Sequence, residues 1–85
     1  MIIAFTLTAW EDYLYGQDID KKAVERIHVL IRDILRDPRR GIGKPEPLRF
    51  QFQACWSRRI DHEHRLVYQI ARGTITIIQC RYQYA

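Results

Sequence analysis

Eighty-five residues, 47 % of them hydrophobic and 28 % charged, suffice for one small domain over residues 1–85 and are too few for a second core. No apolar run approaches the ~20 residues that a bilayer crossing needs, and Met1-Ile2-Ile3-Ala4-Phe5 has neither a basic leader nor a long apolar stretch, so a cytoplasmic protein without membrane association is expected. The net charge of +4 is uneven: residues 1–37 hold five Lys/Arg against seven Asp/Glu, and residues 38–85 hold nine against three, so the C-terminal half should face an anion, either nucleic acid or an acidic protein segment.

In chain order, Ile2 to Phe5 predicts a short strand. Thr6 to Thr8 offers two hydroxyls able to cap a helix, and Thr8 with Glu11 has capping-box spacing, so a helix is expected to follow, with Trp10, Tyr13 and Leu14 on one face and an end near Gly16 to Asp18. Asp20 can cap a second helix, in which Val24, Ile27, Ile31, Ile34 and Leu35 form a stripe of helical period, and Asp37-Pro38 stops it. Lys21, Lys22, Glu25, Arg32 and Arg36 take the remaining faces and read as solvated surface; His28 has no partner that the sequence identifies.

Residues 38–47 contain all three prolines, two glycines and three basic side chains, and must be a loop. Beyond them the period changes to two, as Leu48, Phe50 and Phe52 alternate with Arg49 and Gln51. Trp56 to Ile60 and Arg65 to Ala71 are further strands, and Arg72-Gly73 suits a tight hairpin into Thr74 to Ile78, the last strand reaching about Tyr82. The pattern is α+β: an N-terminal strand, two helices, then an antiparallel sheet of three to four strands. Helices on one face would leave the opposite, Arg-rich face open for function.

Cys55 and Cys80 form no Cys-x-x-Cys pair and read as small buried hydrophobes, neither bridged nor nucleophilic. His62 and His64 could share one strand face, yet no third ligand accompanies them, so no metal site is expected. Trp56 can stack on a base or pack beneath the helices.

Three groups could carry chemistry: Glu46 in the Pro-rich loop; Arg58, Arg59 and Arg65; and Arg81-Tyr82-Gln83-Tyr84. Taken alone, Glu46 would be a loop carboxylate paired with Lys44, Arg65 a strand-edge charge and the tyrosines packing aromatics. Four stretches in order change that reading: Gly43-Lys44-Pro45-Glu46-Pro47-Leu48, Trp56-Ser57-Arg58-Arg59-Ile60, Glu63-His64-Arg65-Leu66-Val67-Tyr68 and Cys80-Arg81-Tyr82. Together with Trp10, Asp12-Tyr13-Leu14-Tyr15 and Asp20-Lys21, they resemble the YoeB/Txe-type toxins of the RelE/ParE superfamily over nearly the whole chain.

The resemblance implies a RelE-like, microbial-ribonuclease-type fold. It also implies a cofactor-free, metal-independent ribonuclease that cuts mRNA in the ribosomal A site, with contacts to 16S and 23S rRNA, and is held inactive by a YefM-type antitoxin. Family members can self-associate, so a homodimer is a further expectation. The family's catalytic glutamate, arginine and C-terminal tyrosine fall on Glu46, Arg65 and Tyr84. Where the family has histidine before that tyrosine this chain has Gln83, and Ala85 extends past it. Gln83, Arg59, Arg49, Lys44 and Arg81 are the expected substrate contacts.

The chemistry wants those residue types. Cleaving RNA without a metal needs a base for the 2′-hydroxyl proton, a cation at the phosphate and an acid for the departing 5′-oxygen. Glu46 is the candidate base; a free carboxylate is weakly basic near neutrality, so the role asks for desolvation or a substrate-induced rise in basicity. Arg65 can engage two phosphate oxygens with its planar fork. Gln83 can donate a hydrogen bond but exchanges no proton, which leaves Tyr84 as the best proton donor and attenuated activity as an expectation. His64 should point to the other sheet face and is a poorer substitute. Two rivals remain: a cleavage-dead homologue that binds ribosome or antitoxin, and a gyrase-poisoning relative, which should lack the Glu46, Arg65 and Tyr84 set.

Overall fold

One hydroxyl joins the first two elements. In the computed structural model, which describes residues 1–49 and 54–81, Thr6 follows β1 (Ile2–Phe5) and caps α1 (Leu7–Ile19). Its Oγ accepts from the Ala9 amide at 3.1 Å and donates to the Ile78 carbonyl at 2.7 Å, so the cap also ties the helix start to the sheet. The cap is therefore Thr6 and not Thr8, and the helix continues through Gly16 to Ile19. Gly16 does not end α1: a Cβ there would come within 3.0 Å of Val24 Cγ2, so the glycine lets the two helices approach.

Asp20 caps α2 (Lys21–Arg36) as expected, its carboxylate accepting from the Ala23 amide at 3.1 Å, and Asp37 ends it. The buried stripe is Val24, Ile27, Leu30 and Ile34; Leu35 is exposed and Ile31 half-buried. Leu30 lies between Ile27 and Ile34 on the face centred on the sheet, and a stripe drawn through Leu35 is rotated too far. On α1 the fully buried residue is Ala9, whereas Trp10 and Leu14 are exposed at 46 % and 41 %. Leu7, Trp10 and Leu14 leave α1 with an apolar outer face.

The sheet has five strands and is mixed, in the order β1-β5-β4-β3-β2, with β2 (Glu46–Pro47), β3 (Cys55–Arg59), β4 (Arg65–Ala71) and β5 (Thr74–Gln79). Two strands were not expected there. β1 joins at one edge, parallel to β5, and the end of the Pro-rich segment pairs with β3 as β2. The β4–β5 turn is the expected hairpin, with Arg72 at φ +46° and Gly73 at φ +76°. β5 ends at Gln79, short of the expected Tyr82, which like Phe50, Gln51, Phe52, Gln83, Tyr84 and Ala85 lies outside the described residues.

Ala9, Ile27, Leu30, Ile34, Leu66, Tyr68, Ile75, Ile77 and Cys80 form the main core between helices and sheet, with Trp56 packed at its margin. Burial of each large aliphatic side chain there contributes about 1.5–3 kcal/mol. Leu48, Cys55 and Val67, with Ile78 beside them, make a second, smaller cluster on the other face. No described helix is long and apolar enough to cross a membrane.

Candidate active site

Register decides which side chains meet. Across β2–β3 Glu46 stands opposite Ser57, and across β3–β4 Ser57 stands opposite Val67 and Arg59 opposite Arg65. Residues directly opposite share a face, and alternate residues of one strand do too. Glu46, Ser57, Arg59 and Arg65 therefore lie together on the face away from the helices, bordering the Leu48, Cys55 and Val67 cluster.

The centre of this group is an ion pair. Arg65 Nη1 lies 3.1 Å from Glu46 Oε1 and donates to Ser57 Oγ at 2.9 Å. The Arg65 side chain is 15 % exposed and that of Glu46 49 %, so the arginine is fixed in the sheet and the carboxylate stands at the solvent edge. Arg65, not Lys44, is thus the partner of Glu46.

Two arginines face each other across β3–β4 with, among the described residues, the Glu46 carboxylate paired to Arg65. Like charges directly opposite in a sheet are destabilising, so this arrangement costs stability and concentrates positive potential where an anion could bind. Exposed Arg59 adds to that field, with its backbone amide bonded to the Gly43 carbonyl at 2.7 Å. Lys44, at φ +51°, and Arg49 are exposed at the two ends of the segment that carries Glu46.

Gly43 sets the path of that segment. At φ +78° it passes so close to α2 and β3 that a Cβ would meet Leu30 Cδ2 at 2.8 Å and Arg58 Cβ at 3.2 Å. The preceding turn is held from beneath by Arg58, which is fully buried on the helix face and takes no part in the open-face cluster. Its guanidinium bonds Asp33 Oδ2, Tyr68 Oη at 3.1 Å, and the carbonyls of Asp37, Arg40 and Ile42 at 2.7, 3.1 and 3.2 Å. Tyr68 in turn donates to the Pro38 carbonyl at 2.6 Å. The Ile42 amide and the Arg58 guanidinium hold the Asp33 carboxyl down at about 2. Loop 37–43 is thereby fastened to α2 and β3, and Glu46 follows from an ordered anchor.

Arg81 does not join the group either. Its guanidinium sits 3.6 Å from the centre of the Tyr15 ring, over α1. With His64, Glu63, Asp12, Ile19 and Ile27 it lines a cleft of about 220 Å³ at the helix side. His64 thus lies on the side away from Arg65, in the turn between β3 and β4, and His62 is in the same turn and not on a strand. Among the described residues, no group of three His, Cys, Asp or Glu could hold a metal ion. Tyr84 and Gln83 lie outside the described residues.

Sequence reasoning missed Ser57 and misplaced Arg58. A period-two reading of Ser57-Arg58-Arg59 already separates Arg58 from its neighbours, and that signal was available. Neither cysteine is activated: burial raises the Cys55 thiol, and burial with the Asp12 charge pushes Cys80 up to about 12. His28, without an assigned partner in the sequence, shares a 2.7 Å hydrogen bond with Tyr13 Oη.

Comparison with known proteins shows the family. A family model described as the YoeB-like toxin of bacterial type II toxin-antitoxin systems matches residues 5–84. Toxin YoeB of Synechocystis sp. is 56 % identical over 84 residues, covering 99 % of this chain and 98 % of its own. The YoeB/ParE toxin from Agrobacterium tumefaciens superposes with a TM-score of 0.96 at 44 % identity, over 99 % of this chain and 100 % of that one. YoeB of Staphylococcus aureus matches both as a dimer, with TM-score 0.92 and 46 % identity, and in a complex with YefM, with TM-score 0.90 and 45 % identity. Each comparison covers 99 % of this chain and 98 % of that one.

Proposed function

The chain belongs to the YoeB-like toxins of bacterial type II toxin-antitoxin systems, and from that membership we propose that it is a metal-independent endoribonuclease that cuts mRNA in the ribosomal A site. The observation that carries this reading is the Glu46–Arg65 pair at 3.1 Å on the open face, with Arg59 directly opposite Arg65.

Glu46 takes the 2′-hydroxyl proton, and the resulting 2′-oxygen attacks the adjacent phosphorus. The bond from phosphorus to the 5′-oxygen breaks, Tyr84 protonates that oxygen, and the products are a 2′,3′-cyclic phosphate and a 5′-hydroxyl. Arg65 stabilises the extra negative charge on the phosphate oxygens. A phosphate at Arg65 competes with Glu46 for the guanidinium, and as it loosens the ion pair the carboxylate is freed to reach the 2′-hydroxyl. Substrate binding thereby prepares the base. Gln83 contributes a hydrogen bond to phosphate, and Arg59, Arg49 and Lys44 hold flanking backbone. Arg81, engaged with Tyr15, would have to leave that ring to reach substrate.

Messenger, 16S and 23S rRNA are the nucleic-acid partners in this proposal, and the cytoplasm is where they are met. The protein partner is a YefM-type antitoxin, supported by the S. aureus YoeB-YefM complex; charge complementarity to the basic face is the reason an acidic segment would cover it. The S. aureus YoeB dimer supports self-association, for which the outer face of α1 supplies apolar surface.

A second reading rests on Gln83: without an exchangeable proton there, the chain could retain binding and lack cleavage. Primer extension on ribosome-bound messenger, run for this chain and for Gln83→His, separates the two. Cutting by both supports the ribonuclease with Tyr84 as acid, and cutting by the histidine variant alone marks an attenuated toxin. Cutting by neither overturns the nuclease reading in favour of a binding module.

A further inference from the structure

Among the described residues, both side-chain partners of the Arg65 guanidinium are on Nη1: Ser57 Oγ at 2.9 Å and Glu46 Oε1 at 3.1 Å. Nη1 thus donates to Ser57 and is ion-paired with Glu46. The Nε–H and one N–H of Nη2 form the edge of the fork that can take two phosphate oxygens. Of the two holders, Glu46 is half-exposed and is the one a phosphate would loosen. Ser57 is fully buried, in the middle of β3, between β2 and β4.

A hydroxyl at this position is unexpected on packing grounds. Cys55 and Val67, beside and opposite Ser57 on the same face, are apolar and buried, and a small apolar residue would fill the site without a polar group to satisfy. The hydroxyl is instead spent on the guanidinium that the open face presents.

We propose that Ser57 is a positioning residue for the cleavage reaction: its buried hydroxyl fixes the rotation of the Arg65 guanidinium, so that the Nε/Nη2 edge faces the scissile phosphate and stays there when substrate loosens Glu46. Without Ser57 the anchor that remains among the described residues is the carboxylate that must be released. Arg65 would then either follow Glu46 or rotate freely, and the phosphate would meet an unordered fork. This inference rests on the ribonuclease reading for its consequence, and on the geometry alone for its structural claim.

The test has two readouts. In the 15N NMR spectrum of the free protein, the Arg65 side-chain resonance, identified by its loss in Arg65→Lys, should show separate Nη signals from hindered rotation. In Glu46→Gln, which removes the carboxylate that substrate would loosen, those signals should stay separate, and adding Ser57→Ala should merge them while backbone shifts outside β2, β3 and β4 stay in place. Averaged signals in the parent, or unchanged splitting when Ser57→Ala is added to Glu46→Gln, overturn the proposal whether or not the protein cuts RNA.

In ribosome-bound cleavage, Ser57→Ala should lower kcat about 10- to 100-fold with KM within about twofold. The same substitution made on Arg65→Lys, which lacks the fork, should cost less than about twofold, because the two changes act through one group. Additive losses, or a change in KM alone, overturn the positioning role. Absence of cleavage by both the parent and Gln83→His is instead a failure of the ribonuclease reading, and the NMR result still decides the geometry.

Discussion

Arg58 and Arg59 are adjacent in the chain and point to opposite faces of the sheet: the first is fully buried beneath α2 and bonded to Asp33 and Tyr68, the second is exposed and stands opposite Arg65. One arginine organises the loop that leads to Glu46, and the other adds charge to the face that carries Glu46.

The two should separate cleanly on substitution. Arg58→Ala removes the buried cation that pairs with Asp33 and the donor to the Tyr68 hydroxyl and the carbonyls of Asp37, Arg40 and Ile42. Breaking such a buried charged network by removing one partner costs about 3–5 kcal/mol, to be read as a fall in urea midpoint. Arg59→Ala removes an exposed side chain and should change stability by less than about 1 kcal/mol while weakening RNA binding. Equal losses of stability would contradict the assignment of the two faces.

Asp33 predicts an acid limb in the stability profile. The Ile42 amide, then the Arg58 and Arg36 side chains, lower its carboxyl from an ordinary 3.8 to about 2. A depressed folded value means that the unfolded chain takes up the proton first, so the stabilisation is whole above about pH 4 and is lost as pH falls towards 2. Asp33→Asn, less stable at neutral pH because Arg58 loses its counter-charge, should have a flatter profile between pH 4 and 2. A residual slope should persist from Asp61, lowered by the His64 and Glu63 amides against the burial that raises it. Parallel profiles for parent and Asp33→Asn would refute the coupling.

How far the sequence could be read follows from the range of the interactions. Periodicity found α2, β3, β4 and the Arg72-Gly73 turn, because each is written in neighbouring residues. It did not find that β1 lies parallel to β5, or that Glu46-Pro47 adds a strand beside β3, since both depend on partners far along the chain. Glu46 and Arg65 were recognised through family resemblance, and their contact came from the register. Ser57 stayed hidden because a serine in a strand has no meaning until the residue opposite is known. Arg58 was grouped with Arg59 by proximity in sequence, against the alternation that strands impose.

The thiols should be inert in the native state. Burial raises both, and Cys80, bonded through its sulfur to the Ala9 carbonyl and near Asp12, is pushed up to about 12. Iodoacetamide at pH 8 needs the thiolate, so neither Cys55 nor Cys80 should be alkylated until denaturant is added. Rapid single labelling of the folded protein, detected by intact mass, would show that one of them is accessible after all.

Glu46 and Arg65 should fail in different ways when changed. Glu46→Gln removes the proposed base and also the carboxylate paired with Arg65, so the open face becomes more positive. Cleavage should fall by about 10²- to 10⁴-fold, as expected for a lost general base. RNA affinity should hold or rise, with a steeper dependence on salt, because one more cation is free to displace counterions. Arg65→Ala keeps the carboxylate and loses the clamp, so cleavage should fall about 10²- to 10³-fold and affinity should fall with it. The fold should survive in both, read by circular dichroism and thermal unfolding, since neither residue belongs to the apolar cores. Loss of binding in Glu46→Gln would mean that the carboxylate orders the site and does not compete with the phosphate, and parental cleavage in Arg65→Ala would remove Arg65 from the chemistry altogether.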